Sequence, residues 1–421
     1  VVFEAWQEAL ERTVAIKILK KKPTNDEALP AFKAEAQILA QLSHPNIAQV
    51  FGKDCTEQGQ EYLAMEWIEG PTVTEYCNSE RFSIEDRLKI FITVCRAVEH
   101  AHQVGVLHRD IKPSNILVAI VDGQAQPKVI DFGIAVMMAL VDQGANSHLS
   151  SAGTREYMSP ERITLGHRAP ADVRSDIYSL GALLFEILTD LPPHPSESLR
   201  NSSYEEVGRF LAEAPVPKLC RRLRDHDPAK LLATCQQRQL SSKKLSKVLG
   251  GDLQVIIAKA LAKAPEDRYA SATSLIQDVE RFLTLRPVTA RAPSVTYRLT
   301  RAVVAANPRA TRGELLTLRE VVDAISGDRV WDELRNTPTE ERSLRLTIGN
   351  TYVSLGDFEQ ADRHLRRAHE LSRSSNEDTT KAALGWLDFR QGDYEGAEDW
   401  LSQANLSDPL IMGRLAAVYA A

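Results

Sequence analysis

The spacing of apolar positions changes along the chain, and each change marks an element. Residues 13–19, TVAIKIL, are rich in β-branched side chains and predict a strand. Between about Ala28 and Leu42 the period lengthens to that of a helix, with Phe32, Ala36, Leu39 and Leu42 on one face and Pro45 beyond its end. EYLAMEWI (61–68) predicts a second strand, closed by the turn Glu69-Gly70-Pro71. IEDRLKIFITVCRAVEHAHQ (84–103) is amphipathic, with Ile84, Leu88, Phe91, Val94, Cys95 and Val98 sharing a face. A short strand, KVI, is expected at 128–130, followed by an irregular run to Tyr157, and helical spacing dominates from Asp176 onward. Strands early and helices late predict an α+β domain with a small sheet-rich lobe and a larger helical lobe.

RPVTARAPS (286–294) has two prolines and no periodicity and reads as a linker. Beyond it LGDFEQADRHLRRAHEL (355–371) matches RQGDYEGAEDWLSQANL (390–406) at an offset of 36, pairing Gly356 with Gly392, Phe358 with Tyr394, Ala361 with Ala397, Leu365 with Leu401 and Ala368 with Ala404. Small residues where helices touch and a large apolar residue each turn suit stacked helix pairs. The region 342–409 resembles tetratricopeptide repeats. The usual Trp position is Arg345 in one copy and Lys381 in the other, and the offset points to a two-residue insertion near Ser374–Asp378. IMGRLAAVYAA (411–421) is expected to open a third copy. The resemblance implies a surface for a peptide or protein partner; a generic αα-hairpin array is the alternative.

Candidate chemistry concentrates in VLHRDIKPSNILV (106–118), which sets Asp110, Lys112 and Asn115 within six positions between apolar flanks. A carboxylate can orient an attacking hydroxyl and accept its proton, a Lys can neutralise a phosphoryl group, and an Asn carbonyl can ligate a divalent cation. A polar turn would explain one of these residues but not the set. His108, on an apolar flank, reads as a packed core histidine. Lys17 ends VAIK on a strand, where it is either edge protection or a buried ammonium that Glu35 could balance. Asp131-Phe132-Gly133 follows a short apolar strand and alone reads equally well as a turn; its place some twenty residues after HRD favours a metal-binding carboxylate.

VAIK, Glu35, HRDIKPSN, IDFG, GTREYMSPE and SDIYSLG occur in this order. Together, over about Val1 to Phe282, they resemble the protein kinase superfamily, specifically bacterial eukaryotic-like (Hanks-type) Ser/Thr kinases. The resemblance implies a bilobal fold that transfers the ATP γ-phosphoryl group to protein Ser/Thr hydroxyls with Mg²⁺, or Mn²⁺ in its place. Lys17 would contact the α/β-phosphates and pair with Glu35. Asp110 would be the catalytic base, Lys112 would steady the γ-phosphate, and Asn115 and Asp131 would hold the metal. Met65 resembles the gatekeeper and Glu66–Ile68 the hinge, with Val2 and Ala15 roofing the adenine. Asp176 would brace the HRD backbone, and Glu161 would pair with Arg268. Arg109 before the catalytic Asp implies activation-loop phosphorylation, with Ser150 or Ser151 favoured over Ser147 and Thr154 and a homodimer as the setting for autophosphorylation.

Three departures accompany the resemblance. Ser159-Pro160-Glu161 replaces APE, residues 192–250 are longer and more polar than a minimal kinase needs, and no Gly-rich loop is present. VVFEA resembles the strand just after that loop, so a first strand and the loop are expected upstream of Val1, and further repeats beyond Ala421. The expected plan is a kinase domain at 1–286, a linker with connecting helices at 287–340 and incomplete repeats at 341–421. A pseudokinase scaffold acting through the repeats is the competing reading.

Bulk composition narrows this little. A net charge of −6 over 421 residues gives no overall attraction to nucleic acid, and none is expected as a partner. Five dispersed cysteines with no CxxC pair argue against a disulfide framework or a zinc site and make a reducing cytoplasm the expected setting, with membrane anchoring through a segment outside residues 1–421 as the alternative. The longest apolar stretch carries Glu186 and falls short of a membrane span.

Overall fold

The computed structural model describes residues 2–18, 42–56, 60–132, 155–165, 172–195, 202–291, 318–335, 337–372, 377–405 and 408–420, with the single positions 199, 297 and 301. They form two compact units, one of residues 1–283 with 288–291, the other of 284–287 with 292–421.

The first unit is bilobal. Its small lobe is a four-stranded antiparallel sheet in the order β1-β2-β4-β3, made by β1 (Val2–Gln7), β2 (Arg12–Ile18), β3 (Val50–Cys55) and β4 (Glu61–Glu66). β4 stops two residues short of the expected end, before the Gly70-Pro71 turn. The predicted helix before Leu42 lies outside the described residues. Residues 46–48 join the small lobe to β6 (Gln124–Val129): Ala48 N donates to Val129 O at 2.9 Å and Val129 N to Asn46 O at 2.8 Å. β6 pairs with β5 (Ile116–Val121) through the turn Asp122-Gly123, both residues at positive φ. That two-residue hairpin carries the strand back to Gln124, earlier than the apolar KVI run alone suggests.

The helical lobe is organised on the Val173–Thr189 helix, which is apolar nearly all round and buried along almost its full length. The Ile84–Gln103 helix begins where predicted because Ser83 caps it, its side chain accepting from Asp86 N, and it buries the expected stripe. The Ala272–Leu283 helix packs against it. The 192–250 stretch is largely helical, with Tyr204–Glu213, Leu219–Arg224, Pro228–Gln237 and Ser242–Leu249, and buries Leu219, Leu223, Leu245 and Leu249.

The expected linker is partly structured. Val288 is buried, and the Asp278 carboxylate accepts from Thr289 N at 2.7 Å and Ala290 N at 2.8 Å, so residues 288–291 pack on the first unit. A run without periodicity can still be held when one buried carboxylate satisfies its amides.

In the second unit the described elements are helices. Pro338–Leu355 and Phe358–Glu370 form one antiparallel pair, Glu377–Gln391 and Tyr394–Ser402 the next, and Pro409–Ala420 packs on the second. The repeated Gly-Asp explains both corners. Gly356 and Gly392 end their helices at φ 75° and 85°, and the following Asp357 and Asp393 cap the next helix. Arg345, at the expected Trp position, lies 3.9 Å over the Trp331 ring and pairs with Glu341 at 2.7 Å. No described helix is long and apolar enough to cross a membrane.

Candidate active site

The segment after the Ile84–Gln103 helix turns at Gly105 and then runs extended into Arg109, a non-glycine residue in the left-handed region at φ 66°. Such a conformation costs about 1–3 kcal/mol and persists only where neighbours fix it. Asp176 on the Val173–Thr189 helix is the neighbour. Its Oδ2 accepts from His108 N at 2.8 Å and lies 2.9 Å from His102 Nε2, while its Oδ1 accepts from Arg109 N at 2.8 Å. Arg162 donates to the Arg109 carbonyl from another helix. Burial alone would raise the Asp176 carboxyl, but His102, His108 and the Arg109 amide hold it below the ordinary range, so it stays charged.

His108 is fully buried, as its apolar flank indicated. Its Nδ1 accepts from Asp110 N at 3.1 Å, its Nε2 lies 2.9 Å from Ile130 O, and its ring meets Phe132 at 4.6 Å. Burial lowers its pKa, so the ring is neutral with the proton on Nε2. It ties the 106–110 turn to the residues that precede Asp131.

The polar trio closes on itself. Lys112 Nζ donates to Asp110 Oδ2 at 2.7 Å, and Asn115 Nδ2 donates to the same oxygen at 3.1 Å and to Asp110 O at 2.8 Å. Asp110 Oδ1 is buried and has no hydrogen-bond partner among the described residues. The turn Pro113–Asn115 leads directly into β5, and Ile130 N donates to Asn115 O at 2.9 Å, which brings Asp131 beside Asn115. Asp131 also adopts a left-handed φ, 68°, and its Oδ2 lies 2.6 Å from Lys17 Nζ. The structure therefore brings Lys17, Asp110, Lys112, Asn115 and Asp131 to one place from β2, the 106–115 turn and the end of β6.

Facing residues in an antiparallel ladder share a side of the sheet. Val2 pairs with Lys17 and Ala15 with Met65, so alternation along β2 puts all four on one face. Ala15 and Met65 are buried, and Val2 is half exposed. Glu66 binds Lys128 at 2.7 Å and Ile68 is nearly buried, which fixes the crossing strand between the lobes. Glu35 lies outside the described residues, as do Ser147, Ser150, Ser151 and Thr154. Among the described residues, the counter-charge that Lys17 meets is that of Asp131.

A sequence model of the protein kinase domain family matches residues 1–279. The chain belongs to the protein kinase family. Serine/threonine-protein kinase PknB of Mycobacterium tuberculosis is 33% identical over 279 residues, 65% of this chain and 39% of that one. The Streptomyces coelicolor serine/threonine-protein kinase SCO3848 is 33% identical over 298 residues, 69% of this chain and 39% of its own. The chain thus spans about two fifths of the length of the curated relatives it matches. Among solved structures, the PknI kinase domain of M. tuberculosis is 24% identical with a TM-score of 0.45, covering 66% of this chain and 90% of that one.

Beneath the site, the kinase domain carries a buried ion pair. Arg268 Nη1 and Nη2 each reach Glu161 at 2.8 Å, and Ser175 Oγ adds a bond of 2.7 Å to the same carboxylate. Burial alone would raise the Glu161 carboxyl, but Arg268 and Ser175 bring it down to about 2. Two supporting residues carried no sequence signal. His102 looked like one more polar position on an amphipathic helix, and Arg238, which grips Asp190 with both terminal nitrogens at 2.9 Å, looked like surface charge.

Proposed function

We propose that this protein is an ATP-dependent kinase acting on serine and threonine hydroxyls of proteins. The observation that carries the reading is the asymmetry of the Asp110 carboxylate: Oδ2 is fixed by Lys112 and Asn115, whereas Oδ1 is buried and has no partner among the described residues. A substrate hydroxyl hydrogen-bonded to Oδ1 would pass its proton there as its oxygen bonds to the γ-phosphorus and the bond to the ADP oxygen breaks. Lys17 would meet the α/β-phosphates and Lys112 the transferring group. The face shared by Val2, Ala15 and Met65, with the Glu66–Ile68 crossing strand, would take the adenine.

The donor set fits a hard divalent cation. Asn115 spends Nδ2 on Asp110 and keeps its carbonyl Oδ1, and Asp131 supplies a carboxylate, both oxygen ligands of the kind Mg²⁺ or Mn²⁺ prefers. Bound there, the cation would neutralise phosphate charge. Arg109 supports a reading in which phosphorylation at Ser150 or Ser151 orders the activation loop. The stacked helix pairs of the second unit would serve as tetratricopeptide repeats that hold a protein partner.

Phosphotransfer from γ-labelled ATP with Mg²⁺ to the protein itself and to a basic acceptor protein tests this. Label on serine and threonine is expected. A folded protein that neither transfers label nor binds nucleotide would overturn the reading in favour of a scaffold.

A further inference from the structure

The segment from Lys218 to Lys247 has no part in the catalytic reading, yet it carries nine basic residues against two acidic ones in a chain of net charge −6. It is not a loose loop. Arg238 locks it to the main helix of the lobe, donating from Nε to Leu188 O at 2.9 Å and from Nη2 to Ile187 O at 3.0 Å besides gripping Asp190. Gln239 adds a bond to Arg81 O at 3.1 Å. On this fixed base the Pro228–Gln237 helix and the start of Ser242–Leu249 enclose a groove of about 410 Å³, whose apolar lining includes Pro228, Leu231, Leu232, Cys235 and Leu240. Leu232 is 60% exposed. Just past the groove, Lys243, Lys244 and Lys247 are exposed and engage no carboxylate among the described residues.

We propose that this groove docks an acidic protein segment bearing a leucine-type apolar anchor. The anchor would fill the groove against Leu231, Leu232 and Leu240, and its flanking carboxylates would meet the lysines. An anchored apolar side chain supplies residence, and the surrounding charge supplies selection and encounter rate. The lining contains no aromatic ring on which a base could stack, which argues against single-stranded nucleic acid. A concave lining with Gln236, Gln239, Ser241 and Ser242 around it suits a peptide better than a flat bilayer. The proposal is independent of phosphotransfer and is tested without ATP.

The test is selection of a random twelve-residue peptide library on the whole protein, followed by fluorescence polarisation of enriched peptides against wild type, Leu232→Asp and the double reversal Lys243→Glu, Lys244→Glu. Leu232 is exposed, so its replacement leaves the fold intact, which circular dichroism verifies. Enriched peptides are expected to place Leu, Ile or Phe among Asp and Glu. They should bind at least roughly tenfold more weakly to Leu232→Asp, and their wild-type affinity should fall as salt is raised. Enrichment of basic peptides, absence of a common pattern, or binding that both variants retain would overturn the proposal. Tighter binding of duplex DNA or phosphatidylserine vesicles, insensitive to Leu232→Asp, would do so as well.

Discussion

Arg268 and Asp110 are charged groups of the same lobe that end up in opposite states. Every N–H of Arg268 is used: Nε on Ala262 O, Nη1 on Glu161 and Arg174 O, Nη2 on Glu161 and Lys263 O, all within 2.8–3.0 Å. Arg238 is filled in the same way by Leu188 O, Ile187 O, Gln237 and Asp190. A guanidinium has five donors, and here two buried ones spend all five inside the protein. Asp110 instead holds one oxygen in place and leaves the other without a partner among the described residues. A buried charge that is fully satisfied has nothing left to offer a substrate. One that is oriented yet unfinished does, and this separates the proposed catalytic loop from the supports beneath it.

Asp110→Asn gives the most demanding test of that contrast. The carbonyl of the introduced amide can still accept from Lys112 and Asn115, so stability should stay within about 0.5 kcal/mol of wild type by urea unfolding. Phosphotransfer should fall by roughly 10²–10⁴-fold, the range expected for loss of a general base. Retained activity would mean that the unpartnered oxygen is not the proton acceptor.

Arg268→Ala should do the reverse. Removing one partner of a buried pair strands the other, at a cost of about 3–5 kcal/mol, while the molecules that remain folded keep their turnover. A loss below about 1 kcal/mol in urea unfolding would show that the saturated network is not a stability element, and the contrast would fail on that side.

How much of this was legible in the sequence follows from the same distinction. Asp110, Lys112 and Asn115 are close along the chain because one turn must present them together, so their spacing alone was informative. Glu161 and Arg268 lie 107 positions apart. Nothing local marks such a pair, and only the resemblance to kinases suggested it. Arg238 was invisible for a related reason: within a stretch crowded with Lys and Arg, one buried guanidinium reads like its exposed neighbours. Lys17 shows that a counter-charge can also come from far along the chain: the structure sets Asp131 beside it, while Glu35, which the sequence offered, lies outside the described residues. In the second unit the repeat was readable because helix contact demands small residues at fixed intervals, and the offset of 36 recorded them.

The comparison extends to apolar packing there. A Cβ on Gly349 would meet Leu365 carbons at 2.6 Å and one on Gly385 would meet Leu401 Cγ at 2.7 Å, whereas one on Gly413 would meet nothing within 4 Å. Gly349→Ala should therefore destabilise the second unit by about 1–3 kcal/mol through overpacking. Gly413→Ala should be neutral or stabilise by up to about 1 kcal/mol, because alanine is the better helix former. Thermal unfolding of both variants checks the pair, and equal shifts would show that the tight site relaxes freely.

The smallest effect is a difference between two pH curves. Arg268 and Ser175 hold the Glu161 carboxyl at about 2, against an ordinary 4.5, so the unfolded chain binds that proton more readily than the folded one. The stabilisation is then complete above pH 4.5 and is lost as the pH falls toward 2. Buried His108 acts in the same direction but in a higher window: its pKa lies below the ordinary 6.5, and its contribution declines as the pH drops below that value. His108 is common to wild type and Arg268→Ala, so its effect cancels in their difference. Glu161 does not cancel, because Arg268 is the largest influence that lowers its pKa and, without it, burial raises that pKa. The stability gap between the two proteins, measured by urea unfolding from about pH 7 to about pH 3, should narrow as the pH falls, starting at the raised Glu161 pKa of the variant and continuing toward about 2. A gap that is constant across the range would mean that Arg268 acts through its bonds to the carbonyls of Ala262, Arg174 and Lys263, not through the charge of Glu161.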